Sequence, residues 1–513
     1  MGIFLRHPAL LFTFSSKRSR FFFFDFAGKS CYNILIICAG EADDALALIR
    51  PDTGAILKEK GERNMAKKIW ISALLLAVFL LLSGCTMSSG DELYSLPKLS
   101  GDNYHLQTVI DGLRALGGEF SAPLNGTNVQ SIQMHDLDGD GVQEAVAFFR
   151  FSNDEKPLKV YVFKKLGEEF EQIAVIEGEG NAFNSVRYEN LTGSAQREIV
   201  ITWQLVTAST SRINNLTVHA LGSDGAVELM RTNYTNVQIL DVDRDGQSEL
   251  VVLHFDSTRE YSRAELYRSD KENLQLAGSA PLSHGTSVLM QARVGYLQDY
   301  QPAVFVYSAL EGGGYVTDVF AWQDNELRNI TCDEETGISL STIVSVDLLR
   351  MTDINSDGIF EIPFPFEMPK KLAVEGEAEQ PTFWGIHWRQ IGKDGSQYAT
   401  VSTFHNQADE WYLEMPSSWN GVVTLEREES TINARTVIFS LYTDEDSEPV
   451  PFLRIYRFGG SNRQNRATIN NRFKLLETQT VIYAAEFFEN SWDSGLNQES
   501  LRAAFHLILE EWQ

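Results

Sequence analysis

The sequence predicts a mainly β protein: a β-propeller of four-stranded blades followed by a small α+β domain. Three observations carry this. A nine-residue acidic pattern recurs as Asp136-Leu137-Asp138-Gly139-Asp140-Gly141-Val142-Gln143-Glu144, Asp241-Val242-Asp243-Arg244-Asp245-Gly246-Gln247-Ser248-Glu249 and Asp353-Ile354-Asn355-Ser356-Asp357-Gly358-Ile359-Phe360-Glu361. Counting two degenerate copies, the starts fall at 136, 190, 241, 296 and 353, a spacing of 51 to 57 residues. Each interval holds about four short strand-like runs, which is the pattern of a propeller blade. In the first unit the runs are 144–151, 158–166, 172–177 and 185–188. Five repeats predict five blades, and flanking strands leave room for a sixth.

The acidic pattern is suited to calcium. That ion takes about six to eight oxygens at roughly 2.3–2.6 Å in flexible geometry. Alternate residues of a tight loop aim side chains at one point. Positions 1, 3 and 5 supply carboxylate or amide oxygens, position 7 a backbone carbonyl and position 9 a last carboxylate. Glycine at position 6 permits the chain reversal. Without a cation, four carboxylates would crowd one another. An EF-hand loop begins in the same way, but needs a bidentate Glu at position 12 and flanking helices. Position 12 is Ala147, Val252 and Phe364, and strand-like runs follow.

These loops, each entering a hydrophobic strand, resemble the FG-GAP/VCBS-type repeats, the calcium-loop β-propellers also found in integrin α-subunits. The resemblance spans about 131–370. It implies three structural calcium sites: Asp136, Asp138, Asp140, Glu144 and the Val142 carbonyl; Asp241, Asp243, Asp245, Glu249 and the Gln247 carbonyl; Asp353, Asn355, Asp357, Glu361 and the Ile359 carbonyl. The copy at 190 has Asn190, Thr192 and Ser194 in place of the carboxylates and lacks the glycine, so no metal is expected there. The copy at 296 reads as a plain turn.

The chain divides around this region. Residues 1–64 show little periodicity and read as an upstream mis-start. Residues 65–84 are a signal peptide: Ala66-Lys67-Lys68, then a 14-residue apolar run over 69–82, too short for a comfortable membrane span. The run ends in Leu82-Ser83-Gly84-Cys85, which resembles the bacterial lipoprotein lipobox. That likeness implies cleavage before Cys85, its acylation (palmitate among the chains), and a lipid-anchored protein on the extracytoplasmic face of a bacterial cell membrane. Residues 85–130 are a Ser/Gly/Pro-rich tether and an amphipathic helix over 105–116, apolar at 106, 109, 110, 113 and 116. Residues 131–408 are the propeller, ending in a hairpin of 383–388 and 398–404 about the turn Lys393-Asp394-Gly395-Ser396.

Residues 409–513 break the period and read as the α+β module. Strand-like runs lie at 422–425, 436–442, 452–458 and 479–487, and a helix is expected over 498–512 with Asn497 as its cap. Between Pro451 and Leu475 stand Arg454, Arg457, Arg463, Arg466, Arg472 and Lys474 with no Asp or Glu. Such a run suits either an anionic ligand or a solvated loop paired with the acidic propeller.

Charge and motifs narrow the function. The chain carries a net charge of −27, and residues 85–513 carry 32 basic and 63 acidic side chains, net −31. So acidic a surface argues against nucleic-acid binding. After cleavage only Cys85 and Cys332 remain, so Cys332 reads as a structural thiol. The sequence has no Gly-x-Ser-x-Gly elbow, phosphate-cradling loop, His-Glu-x-x-His or Cys-x-x-Cys. The reading is a cell-surface lipoprotein whose calcium-stabilised propeller binds or scaffolds an extracellular protein or glycan. The competing class is an extracellular polysaccharide- or peptide-processing enzyme that uses the propeller to position substrate.

Overall fold

The computed structural model describes residues 104–206, 212–255, 262–270, 273–343, 349–370, 381–431, 433–444 and 447–508. The leader, the signal peptide, Cys85 and the tether lie outside them. Among the described residues, no helix is long and apolar enough to cross a membrane.

The protein is mainly β and is built from antiparallel sheets of four or five strands, taken almost entirely in chain order. Sheet one holds Glu119–Phe120, Ile132–His135, Glu144–Arg150, Leu158–Leu166 and Glu169–Gly178. Sheet two holds Ala182–Glu189, Glu198–Val206, Arg212–Gly222 and Gly225–Asn233. Sheet three holds Asn236–Leu240, Glu249–His254, Arg263–Ser269 and Leu274–Pro281. Sheet four holds Thr286–Tyr296, Pro302–Leu310, Tyr315–Gln323 and Glu326–Asn329. Short loops join the successive strands of sheets two to four, so each of these is a meander that needs no crossover.

The sheet boundary falls one strand earlier than the sequence repeat suggests. The run 185–188 is the first strand of sheet two, not the last of sheet one. In sheets two to four the loop lies between the first two strands, so counting from the loop assigns the next sheet's opening strand to the unit before it.

Consecutive sheets pack face to face. Leu137, Phe148 and Val160 of sheet one meet Phe183, Ile201 and Trp203 of sheet two. Val200, Leu216 and Val218 of sheet two meet Leu250, Val252 and Leu274 of sheet three. Val251 and Leu266 meet Val304 and Phe320 of sheet four, and Phe305 and Tyr307 meet Met351, Ile362 and Ile391 of the fifth. The central strands are therefore apolar on both faces, as the unbroken run Ala145-Val146-Ala147-Phe148-Phe149 required. Helix α1 (Tyr104–Ala115) buries Leu106 and Ile110 on the other face of sheet one, against Ala145, Phe149 and Phe163.

Sheet five holds Glu361–Glu367, Trp384–Ile391, Gln397–Asn406, Trp411–Met415 and Phe505–Leu507, with Thr352 bridged to Glu361 at its first edge. The expected hairpin and its turn are present. Trp388 is buried, and its indole N–H donates to Thr403 Oγ1 at 2.7 Å. The break in sequence period at 409 is not a break in the sheet, because Trp411–Met415 pairs with Gln397–Asn406. Sheet six runs Val423–Thr431, Ala434–Leu441, Val450–Gly459, Val481–Phe487 and Phe473–Glu477 in space. A short helix α2 (Arg463–Arg466) lies in its crossover.

Two C-terminal expectations are corrected. Helix α3 spans only Gln498–Ala504, capped by Asn497 and Ser500 as a reciprocal box, and the chain then extends as Phe505–Leu507. Pairing with the free edge of Trp411–Met415 outweighs continuing the helix, and satisfies backbone groups that would otherwise lie bare. The Arg-rich stretch turns inward to its own module. Arg454 and Arg472 pair with Glu486, Arg457 pairs with Asp409, and Arg466 donates to the Gly459 and Asn433 carbonyls. Arg472 also stacks 4.1 Å from the Tyr456 ring centre. These guanidinium groups fasten sheet six internally and, through Asp409, to the turn that follows Gln397–Asn406 of sheet five.

His219, 6% exposed in sheet two, has no partner for Nε2 among the described residues. Burial pulls its pKa down to about 4, helped by Arg231 and opposed by Glu228. The folded state therefore holds it neutral, while an unfolded histidine titrates near ~6.5. Stability is intact above that value and falls as pH drops from ~6.5 towards about 4. At pH ~5 the loss is about 2 kcal/mol relative to pH ~7.5, and His219→Phe should remove it when chemical-denaturation titrations at those two pH values are compared.

Candidate functional site

Each of these loops runs into a central or leading strand of its sheet, and one device closes each of them. The position-9 glutamate opens that strand, is buried, and accepts the backbone N–H of position 2. The bonds are Leu137 N to Glu144 Oε2 at 2.8 Å, Leu191 N to Glu198 Oε2 at 2.7 Å, Val242 N to Glu249 Oε2 at 2.9 Å and Ile354 N to Glu361 Oε2 at 3.0 Å. Position 2 is in each case a buried aliphatic residue. The loop is thus pinned from below by an apolar plug and from inside by a carboxylate. The copy at 190 keeps this brace although it has lost the acids at positions 1, 3 and 5.

Position 1 organises the upper turn. Asp136, Asp241 and Asp353 each accept two N–H groups of their own loop, one from the position-6 glycine at 2.9 to 3.0 Å. Position 5 then accepts from position 7: Val142 N to Asp140, Gln247 N to Asp245 and Ile359 N to Asp357, at 2.7 to 2.9 Å. Gly141, Gly246 and Gly358 lie at φ +85°, +89° and +88°, the left-handed reversal expected of them.

The glutamate's second oxygen separates the loops. Glu198 Oε1 accepts the Thr192 hydroxyl at 2.7 Å. Glu249 Oε1 accepts from Arg268 at 2.9 Å, and the same guanidinium pairs with Asp243 and lies over Trp322 of sheet four. Glu361 Oε1 accepts from Gln390 Nε2 at 2.9 Å, which also donates to Asp357 at 2.7 Å. Glu144 Oε1 is buried with no hydrogen-bond partner among the described residues. Beside it, Lys164 pairs with Asp138 and Asp140. Lys164, Arg268 and Gln390 occupy one structural position, the residue across the ladder from the position-9 glutamate. Burial raises the pKa of Glu144, of Glu249, and of Glu361 to about 7, while the Lys164 hydrogen bond lowers that of Asp140.

Two oxygens bound to one calcium at about 2.4 Å each lie no more than ~4.8 Å apart. Asp136, Asp138 and Glu144 meet that limit, as do Asp241, Asp243 and Glu249. Among the described residues, no third carboxylate trio converges this closely: Asp353 is engaged with its own backbone, Asn355 donates to Asp357, and Gln390 bridges Asp357 and Glu361. The residues of the first loop fit a cation best, because a buried carboxylate oxygen faces it without a partner. In the second acidic loop a guanidinium already meets that need.

The loops also bond to one another. Arg197 N donates to Leu137 O, Ser248 N to Asn190 O, Gln247 Nε2 to Leu191 O, and Arg244 to Asp299 O. At Gly139, a Cβ would lie 2.5 Å from Ala195 O of the neighbouring loop. This ladder runs along one side of the stack.

Beside it opens a cleft of about 600 Å³ between the first strands of sheets two and three, walled also by the 125–128 segment and His135 of sheet one. His135 and Glu189, each just before a loop, and Arg197, within the loop at 190, line it together with Arg187, Asn184 and Tyr234. The His135 and Tyr188 rings lie against each other, centres 4.0 Å apart and planes tilted by 33°. Burial pulls the pKa of His135 down and pushes that of Glu189 up. Sequence reasoning missed this cleft. Its residues are scattered over about 110 positions and carry no local pattern; the alternation of Ser185, Arg187 and Glu189 in one strand was the available signal.

No protein-family model and no curated protein matches the chain. Among solved structures, a candidate 6-phosphogluconolactonase from Bacteroides uniformis is similar at 10% identity over 65% of this chain and 94% of its own, with a TM-score of 0.25. The Tc holotoxin pore of Photorhabdus luminescens is similar at 11% identity over 69% of this chain and 20% of its own, with a TM-score of 0.16. Likenesses this low bear on neither fold family nor activity.

Glu198→Ala should separate bracing from metal binding. It strands the Leu191 N–H and should cost roughly 2–3 kcal/mol in urea unfolding. It should leave any calcium-induced rise in melting temperature unchanged, whereas Asp138→Asn should reduce that rise.

Proposed function

We propose that the protein is a lipid-anchored extracytoplasmic binding module, whose first five sheets are successive blades of a calcium-stabilised β-propeller of the FG-GAP/VCBS type. The observation that carries this reading is the series of braced loops. Four of them close by the same buried glutamate, and adjacent ones are joined backbone to backbone. That arrangement stiffens one side of a stack of meanders and leaves a polar cleft at its margin. Asp136, Asp138 and Glu144 form the leading calcium site, with Asp140 and the Val142 carbonyl completing the set read from the sequence. Asp241, Asp243 and Glu249 form a second, in which the ion displaces Arg268. Asp353, Asn355, Asp357 and Glu361 form a weaker third, since Gln390 holds two of its oxygens. Calcium supplies charge neutralisation there, which relieves the buried glutamates.

Anchoring rests on the Cys85 motif, and partner binding on the polar cleft and on the scarcity of catalytic motifs. An extracellular protein or glycan is the expected partner.

Two measurements test this. Millimolar calcium should raise the melting temperature by several degrees, because it binds the native loops and not the unfolded chain; an unchanged melting temperature with and without chelator would sink the metal claim. In a bacterial host, Cys85→Ala should abolish labelling by radioactive palmitate and release the protein from the membrane fraction. Persistence of label in that variant would refute the anchor.

A further inference from the structure

The cleft between the first strands of sheets two and three has a chemistry of its own. Its surface is built from amides and hydroxyls that hold one another in place. Asn125 Nδ2 donates to Asn184 Oδ1 at 2.9 Å, Asn184 Nδ2 donates to the Tyr234 hydroxyl at 3.1 Å, and the Ser185 and Thr202 hydroxyls lie 2.6 Å apart. The apolar side chains nearby, Val186 and Tyr188, are buried in the core between sheets one and two. A peptide partner that relies on an apolar or aromatic anchor finds no socket here. A ligand covered in hydroxyl groups finds fixed donors and acceptors.

Charge adds the second requirement. Among the described residues, the side chains of Arg187 and Glu189 form no hydrogen bond and no close ion pair, although both are half-buried; Arg187 and Arg197 act on the Glu189 carboxyl only through longer-range attraction. Arg197 contributes one long bond, NH1 to Tyr188 O at 3.4 Å, and is otherwise exposed. An arginine fork with its donors unspent inside a cleft is suited to bidentate contact with a carboxylate or a phosphate. Two guanidinium groups against one carboxyl leave a single net positive charge, in a chain whose overall charge is −27. One positive charge balances a monoanionic carboxylate, and undercompensates the dianion of a phosphate monoester.

We infer that this cleft binds an oligosaccharide bearing a uronic-acid carboxylate, with Arg187 as the carboxylate anchor, Arg197 as its outer partner, and Glu189 and Asn184 receiving sugar hydroxyls. The inference rests on the binding-module reading and gives it a ligand class. The braced loops serve the site directly: Arg197 N is tied to Leu137 O of the first loop, and Glu189 and His135 each precede a loop's first residue.

The test uses the full chain in detergent and titration calorimetry. The probes are tetrasaccharides of galacturonate, glucuronate and guluronate, each beside its carboxyl-reduced counterpart. At least one uronate should bind ten-fold or more tightly than its reduced form. Arg187→Gln should weaken that uronate about ten-fold and leave the reduced sugar unaffected. Arg197→Gln, an exposed position that poses no folding risk, should weaken it several-fold. Melting temperatures of both variants should match wild type. Equal affinity for uronate and reduced sugar overturns the inference, as does undiminished uronate binding by both variants. Wild type that binds none of the probes also overturns it. In that last case an intact calcium-dependent melting shift keeps the propeller reading standing, so the two failures are distinguishable.

Discussion

A buried carboxylate that accepts a backbone N–H across the base of a loop is an expensive contact to keep. Removing Glu144, Glu198, Glu249 or Glu361 from water costs several kcal/mol unless both oxygens find partners. One oxygen is always satisfied by the position-2 N–H, which fixes the loop's entry to the strand that follows. The other oxygen sets each loop's chemistry. A threonine hydroxyl, an arginine and a glutamine meet it in the loops at 190, 241 and 353. In the loop at 136 no described protein group does. The brace is constant and its second partner is variable, which is why a loop can lose its acids at positions 1, 3 and 5 and still hold its place in the stack.

From that constraint the rest of the architecture follows. Loops held in one conformation can bond to their neighbours, and the bonds between successive loops align the first strands of successive sheets. Aligned sheets bury apolar faces against each other, and α1 packs on the other face of sheet one. The cleft is a product of the same alignment. Its charged residues flank the loops or lie within one, so their spacing is inherited from the brace.

Much of this was legible from residue order. The period, the strand after each loop, the left-handed glycine at position 6 and the amphipathic helix at 104–115 are local properties, encoded in spacing and in the conformational freedom of single residues. The C-terminal boundary of α3 was not, since the run from Phe505 has helical spacing in isolation and extends only because a sheet edge stands open beside it. The Arg-rich stretch read either as an anion site or as a solvated loop paired with the acidic propeller, and its actual partners Glu486 and Asp409 lie at positions no local rule connects to it.

The sequence by itself determined the β-rich class, the repeated loops and the acids that crowd within them, because each depends on neighbours a few residues apart. Only the tertiary structure decided which acids converge, what stands across the ladder from each buried glutamate, and which scattered polar side chains share a cleft. Strand register makes those choices. It places Lys164, Arg268 and Gln390 at one equivalent position although they lie roughly 20 to 30 residues beyond their glutamates and share no motif. A pairing of that kind is set by the summed packing of two whole strands.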